Sequence, residues 1–194
     1  MKKMAGLKGS QTEKNLLASF AGESQARSRY TFFASVARKE GYEQISAIFA
    51  ETAENEKEHA EVFFKYLEGG ELEITAAYPA GVIGDTLANL QAAAAGEKEE
   101  WSTIYPEAAA TAEAEGFADI AESFTEISEV EEYHERRYNI LADRVANCAV
   151  FKRDEPIKWK CRNCGYVHDD AEAPQLCPAC DHARAYFEPW AENY

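Results

Sequence analysis

Residues 41–59, GYEQISAIFAETAENEKEH, return 75 positions later as residues 116–134, GFADIAESFTEISEVEEYH. Gly41, Ile45, Phe49, Glu51, Glu56 and His59 meet identical partners in Gly116, Ile120, Phe124, Glu126, Glu131 and His134. Continued in both directions, positions 45, 49, 52, 56, 59, 63 and 66 form one series, and 120, 124, 127, 131, 134, 138 and 141 form the other. Both advance in steps of three and four, the period of one face of an α-helix. Apart from Thr52, the only members that are not apolar or aromatic are the Glu-x-x-His pairs Glu56/His59 and Glu131/His134. Those four side chains therefore lie on the buried stripes of two related helices.

A repeat of this length is a helical hairpin used twice, not a solenoid unit. Gly41 and Gly116 mark tight turns between antiparallel neighbours. The breakers predict helices over 12–39, 42–68, 85–115 and 117–147, with Gly69-Gly70 ending the second and Asp85 capping the third. The segment between them, with Pro79, Gly81 and Gly84, is too long for a hairpin loop and reads as a crossover along the bundle. Pro106 interrupts the third helix and predicts a kink or a local bulge there. The fold class is an all-α four-helix bundle with one long crossover, followed by a small metal-binding domain.

Each Glu-x-x-His is preceded, 33 or 34 residues earlier, by an Ala-Gly-Glu ending in Glu23 or Glu97. Glu23 lies on a stripe with Phe20 and Tyr30, and Glu97 follows Leu90 and Ala94. Burying an ionised carboxylate costs several kcal/mol even after relaxation, so several in one core need cations. Basic residues on these faces are few, with Arg27 the nearest, which leaves metal ions. One Glu from each of two helices plus Glu-x-x-His from each of the other two is the di-metal carboxylate pattern of ferritin-like bundles. Oxygen and nitrogen donors without sulfur suit iron or manganese. Glu100, three residues after Glu97, is the candidate seventh ligand and has no acidic equivalent at Ala26.

The chain carries 20 Lys and Arg against 35 Asp and Glu, a formal charge of -15 over 194 residues. Residues 152–194 hold 6 basic and 8 acidic residues, so -13 falls on residues 1–151. No basic footprint for nucleic acid exists. No apolar run is long enough for a membrane helix, and the basic N-terminus lacks the apolar core of a signal peptide. The expectation is a soluble, cytoplasmic protein. After Cys148 the composition changes, with Phe151–Pro156 reading as charged linker, so the domains are 1–151 and 152–194. The second is too small to hold itself together by its core alone. Cys161-x-x-Cys164 and Cys177-x-x-Cys180 supply the staple as a tetrahedral four-thiolate site for zinc or a single iron. His168 and His182 are surplus to that site and are expected at the surface. Cys148 is expected to be a buried, inert thiol.

Both constellations in one chain, in this order, closely resemble the rubrerythrin family. The residues that carry the likeness are Phe20–Arg27 (FAGESQAR), Glu56–His59 (EKEH), Ala95–Glu100 (AGEKEE), Glu131–His134 (EEYH) and Cys161–Tyr166 (CRNCGY). The resemblance implies a di-iron site ligated by Glu23, Glu56, His59, Glu97, Glu100, Glu131 and His134. It also implies a rubredoxin-like iron site at Cys161, Cys164, Cys177 and Cys180, and a homodimer. Tyr30 and Tyr105 match family tyrosines that hydrogen-bond to the site. In the family one iron exchanges a carboxylate for a histidine on reduction, here Glu100 for His59. The activity expected is reduction of hydrogen peroxide to water in oxidative-stress defence. Its electrons would come from NAD(P)H through a separate rubredoxin or reductase, since the chain has no Gly-rich dinucleotide motif. Rival readings are a ferroxidase or oxidase using dioxygen, a ferritin-like iron store, and a zinc-ribbon interaction protein.

Overall fold

The structure, a computed structural model, describes residues 6–193; the basic opening residues 1–5 lie outside it. Helix α1 spans Gln11–Lys39 and α2 spans Glu43–Tyr66. The third rod of the bundle is α3 (Thr86–Glu99), a π-helical turn (Glu100–Ile104) and α4 (Tyr105–Glu115). Helix α5 (Ala118–Ala146) completes the bundle. The turn glycines have φ of 86° at Gly41 and 92° at Gly116, a region that costs a side chain strain. Beyond them the N–H groups of Tyr42 and Phe117 close on the carbonyls of Ala37 and Ala112 at 2.9 and 2.8 Å, satisfying helix-end acceptors. Asp85 caps α3 by accepting the Ala88 N–H at 2.8 Å. The crossover lies along α1, where the Tyr78 hydroxyl donates to the Ala18 carbonyl at 2.7 Å. Among the described residues no helix is long and apolar enough to cross a membrane.

The internal repeat is a packing symmetry as well as a sequence one. Glu115, at the end of α4, accepts from the Thr12 N–H at 2.9 Å and the Thr12 hydroxyl at 2.6 Å, closing the N-terminus of α1. Glu40, just past the end of α1, accepts from the Thr86 N–H at 2.9 Å and closes α3 in the same way. Glu40 and Glu115 are 75 residues apart, and Thr12 and Thr86 are both buried. Each hairpin therefore caps the other, with a carboxylate placed at the positive end of a helix.

Two apolar layers flank the bundle's middle and obey the same relation. In one, Phe49 packs on Tyr138 with ring centroids 5.1 Å apart and on Tyr30 at 6.1 Å. In the other, Phe124 packs on Phe63 at 4.8 Å and on Tyr105 at 5.9 Å. All six rings are fully buried.

Pro106 explains the break in the third rod. Proline has no N–H to return to the preceding turn, so a carbonyl there is left over. The Trp101 carbonyl, the acceptor a π-pattern would assign to residue 106, instead accepts the Ser128 hydroxyl of α5 at 3.0 Å. The Trp101 indole N–H also donates to Glu135 of α5 at 2.6 Å. The bulge is thus pinned to α5.

The C-terminal unit is a three-stranded antiparallel sheet of order β2-β1-β3, with β1 at Lys152–Cys161, β2 at Val167–Glu172 and β3 at Phe187–Pro189. The segment expected as linker up to Pro156 is instead the first half of β1, and the register shift between Lys152 and Ile157 accommodates the proline. Its core is Trp159, Cys161, Ala173, Cys177 and Phe187, with the Trp159 indole donating to the Asp170 carbonyl at 2.9 Å. The unit packs on the α1–α2 turn, where Tyr42 stacks on Phe151 at 6.1 Å. Cys148 corrects the sequence expectation: it is exposed, at φ 53°, in the left-handed turn that ends α5.

Losing one cross-cap leaves buried backbone and threonine donors unpaired. Glu115→Ala and Glu40→Ala should each destabilise the fold by about 1 kcal/mol in urea unfolding. The caps stand at opposite ends of the bundle, so the double variant should be additive within about 0.5 kcal/mol.

Candidate metal centres

Between the two aromatic layers, four carboxylates and two imidazoles converge. Helix periodicity puts Glu23 on α1, Glu56 and His59 on α2, Glu97 on α3, and Glu131 and His134 on α5. Glu23, Glu97 and Glu131 are 0% exposed, Glu56 1%, His134 5% and His59 9%, so water cannot carry their charge. They fall into two four-residue donor sets, Glu23/Glu56/His59/Glu131 and Glu56/Glu97/Glu131/His134, each with its ligand atoms within 4.8 Å of one another.

The sharing is atom by atom. His59 Nδ1 lies 2.8 Å from Glu131 Oε1 and 3.2 Å from Glu56 Oε2. His134 Nδ1 lies 2.8 Å from Glu131 Oε2 and 3.3 Å from Glu56 Oε1. Each of Glu56 and Glu131 thus gives one oxygen to each set, the geometry of two bridging carboxylates. Glu23 Oε1 stands 3.7 Å from His59 and Glu97 Oε2 3.6 Å from His134, one terminal carboxylate per set. Donors held about 2.1 Å from a common ion at right angles are about 3 Å apart, which these spacings match. Glu23 Oε2, Glu56 Oε1, Glu97 Oε2, both oxygens of Glu131 and Nδ1 of His134 are buried without a hydrogen-bond partner. Six unpartnered donor atoms around two points fit a pair of metal ions.

The tyrosines fix the terminal carboxylates crosswise. The Tyr30 hydroxyl of α1 donates to Glu97 Oε1 of α3 at 2.5 Å, and that of Tyr105 of α4 donates to Glu23 of α1. Each hairpin therefore holds the other's ligand.

In the C-terminal unit Cys161 and Cys164 open one knuckle, Cys177 and Cys180 the other. Gly165 (φ 82°) and Asp181 (φ 57°) turn the chain after each, and their N–H groups return to the carbonyls of Cys161 and Cys177 at 2.9 Å. Sγ–Sγ separations are 3.9 Å for Cys161–Cys180 and 3.6 Å for Cys164–Cys177. A tetrahedron of sulfurs about 2.3 Å from its centre has edges of about 3.8 Å, so the four thiols fit one metal ion. The His182 N–H donates to Cys180 and holds its thiol down at about 6. The Tyr166 N–H does likewise at Cys164, where the neighbouring cysteines outweigh it and push the thiol up to about 12. His168 and His182 stand outside the four-cysteine set and are partly exposed; His182 Nδ1 lies 3.0 Å from the Cys180 carbonyl.

The rubrerythrin family model matches residues 14–142, and the model of the rubrerythrin rubredoxin-like domain matches residues 159–188. Rubrerythrin of Porphyromonas gingivalis is 64% identical over 188 residues, covering 97% of this chain and 94% of the relative. The chain belongs to the rubrerythrin family. Rubrerythrin of Nitratidesulfovibrio vulgaris is 56% identical over 191 residues, 98% of this chain and 100% of the relative. A structure of nigerythrin in its fully reduced, all-ferrous state superposes with a TM-score of 0.62 at 30% identity, covering 98% of this chain and 94% of that one. Symerythrin from Cyanophora paradoxa, at 23% identity and TM-score 0.62 over 75% of this chain and 90% of that one, shares the fold. The chain is thus a ferritin-like four-helix bundle followed by a small strand domain bearing four cysteines.

Six of the seven carboxylate and histidine positions singled out in the sequence meet in the two sets. Glu100 does not: it stands half-buried on the π turn, in the wall of a cavity of about 440 Å³ bounded by α1, the crossover and α4. The one-residue bulge is the reason, and its signal was in the spacing. Glu23 precedes Tyr30 by seven residues, whereas Glu97 precedes Tyr105 by eight. Arg27, the base closest to the site by sequence, is exposed and pairs with Glu54 at 3.5 Å. Arg29 is the base that lines the cavity with Glu100.

Burial, reinforced by the charge of Glu56, pushes the Glu23 and Glu97 carboxyls well above the usual range. Burial also works to raise Glu56, yet the His134 and His59 imidazoles outweigh it and hold that carboxyl down at about 2. Burial works to lower both imidazoles, and Glu131 and Glu56 override it, raising His59 to about 9 and His134 to about 12. Burial keeps the Tyr30 and Tyr105 phenols well up, so they remain donors. Metal-free, the site balances its charge with protons.

Imidazoles raised in the fold stabilise it fully below their unfolded value of about 6.5 and lose that contribution as pH climbs through the folded value. The metal-free protein should therefore melt lower, by about 5 °C or more, at pH 9 than at pH 6.5. Metal loading displaces those protons, so an indicator in weak buffer near neutrality should report proton release on titration with a divalent ion. The apparent metal affinity should rise with pH.

Proposed function

We propose that this chain is a non-haem di-iron peroxidase that reduces hydrogen peroxide to water, with the four-cysteine site holding one iron as an electron relay. The observation that carries the reading is the bridged two-set centre of oxygen and nitrogen donors in the same chain as a four-thiolate site. Hard carboxylate and imidazole donors with two bridges suit a pair of iron ions, and four sulfurs suit a one-electron carrier. Iron storage has no use for such a carrier.

The balance is H₂O₂ plus two protons and two electrons to two waters. When bound, the metal pair supplies Lewis acidity and one electron per ion for cleavage of the O–O bond. The protein's own groups do the rest. Tyr30 and Tyr105 hold Glu97 and Glu23 in one orientation, so the terminal ligands need no reorganisation. The aromatic layers exclude bulk water from either side. The cavity carrying Glu100 and Tyr105 offers a small oxidant its approach. His59 inside its donor set with Glu100 withdrawn is the arrangement that the family resemblance assigns to the reduced state.

Electron supply favours a homodimer. The C-terminal unit packs at the α1–α2 turn, and Glu56 lies 15 residues along α2 from Gly41, about 22 Å of helix. On the α2 and α5 face an open groove is lined by Arg136, Arg137, Arg144 and Arg153 and reaches His134; Tyr133 and Ile140 are exposed beside it. Asp154, Glu155, Asp169 and Asp170 are exposed on the C-terminal unit. A partner chain's acidic unit in that basic groove would bring its cysteines nearer the centre than the chain's own are. The ultimate donor would be a rubredoxin or an NAD(P)H-linked reductase in the cytoplasm.

On rapid mixing of the fully reduced protein, peroxide should oxidise the centre much faster than dioxygen does; the opposite order would make it an oxidase. Glu100→Ala should slow peroxide turnover by about tenfold or more with metal still bound. Cys161→Ala should stop steady-state turnover and spare a single one. Mixed dimers of Cys161→Ala with Glu131→Ala chains should regain peroxide turnover, because each supplies what its partner lacks. Mixed dimers as inactive as their parents would place the electron path within one chain.

A further inference from the structure

The two hairpins match at every bridging and terminal ligand, so polar residues that break the match stand out. Near the centre, Thr52, Arg137 and Tyr138 depart from it on α2 and α5, and Glu100 and Arg29 depart from it on the other two rods. Glu100 sits in the π turn, which α1 lacks. Arg29 precedes Tyr30, where the repeat has Ile104 before Tyr105. The structure brings these two departures into one cavity, which both side chains and Ile104 line.

Arg29 has no acidic partner among the described residues: its Nε is buried without a hydrogen-bond partner, and it makes no ion pair. Its guanidinium lies 5.7 Å from the Tyr30 ring, over the tyrosine that holds Glu97. It also lies beside the glycine before Glu97, where a Cβ on Gly96 would stand in ordinary contact with it at 3.7 Å. A partly buried cation without a partner is retained at a cost unless an anion is brought to it. Glu99 and Glu107 also line the cavity, but Glu100 follows Gly96, the residue the Arg29 guanidinium lies beside, by four positions and so stands one helical turn on along the same face.

We infer that Arg29 is the positioning residue for Glu100, the counter-charge that holds this carboxylate in the cavity while it is off the metals. The inference rests on Glu100 being a ligand that comes and goes. Without Arg29 the withdrawn carboxylate is an uncompensated charge in a partly buried site, and its balance tips toward the metals. The two groups share the cavity without an ion pair between them in this structure.

The test is a double-mutant cycle read by metal binding rather than by turnover. Metal-free full-length protein, its four-cysteine site first filled with one equivalent of zinc, is titrated with Co²⁺. The visible bands of Co²⁺ report affinity and coordination number. Arg29→Gln should tighten Co²⁺ binding by about tenfold and shift the bands toward higher coordination. In a Glu100→Gln background the same substitution should change affinity by less than about twofold. The tenfold effect should persist in a Glu99→Gln background, and Arg29→Lys should restore most of the wild-type behaviour. Equal effects of Arg29→Gln with and without Glu100, or no effect in either, would overturn the assignment. Because peroxide is absent, its failure would leave the peroxidase reading standing, and the failure of that reading would leave this result intact.

Discussion

Four carboxylates with essentially no solvent exposure, held within a few ångströms of one another, set the terms for the rest of the molecule. Ionised and unpaired, each would cost several kcal/mol, more together than a domain of this size can spare. Protons on Glu23, Glu97 and the two imidazoles are one remedy, and two metal ions are the other. The bundle is built to make the second better. Its donors converge on two common centres, and its tyrosines spend their hydroxyls on the outer carboxylates.

The near two-fold symmetry is the means by which so much charge is held in place. Each hairpin caps the other through Glu40 and Glu115, anchors the other's ligand through Tyr30 and Tyr105, and matches the other's aromatic layer. A symmetric centre would give both metals the same surroundings. The π turn after Glu97 removes that equivalence by one inserted residue, which swings Glu100 into a cavity open on one side. Proline at 106 and serine at 128 show that the insertion is supported by its neighbours and is not a local defect. One-residue π insertions recur at functional sites because they re-aim a side chain without ending the helix.

The C-terminal unit follows a different rule. Five buried side chains are too few to stabilise a sheet of this size, and four thiols spaced to hold one metal ion stand where more core would be needed. Its contact with the bundle is made at the α1–α2 turn, far along α2 from the carboxylates.

The sequence by itself determined the four helices, the turns at Gly41 and Gly116, the cap at Asp85, the six converging carboxylate and histidine positions and the four thiols. Each of these follows from a local period or spacing: three and four for a helix face, 75 for the repeat, two intervening residues for a knuckle. Its limits were equally physical. Pro106 announced a disturbance but not its kind, because whether a helix kinks or takes in a π turn depends on Ser128 and Trp101 meeting across helices. Arg27 looked closer to the centre than Arg29, since a side chain's direction near a stripe's edge is settled by the neighbouring rod. Cys148 looked buried from composition, and the exposed left-handed turn after α5 put it outside. The segment before Pro156 read as linker because its charges hide a strand that only pairing with β2 reveals. Cross-capping and the crossed tyrosines join residues about 45 to more than 100 positions apart, and the contacts that pin the π turn join Trp101 to Ser128 and Glu135. Contacts of that kind have no local period, and only the packed bundle decides them.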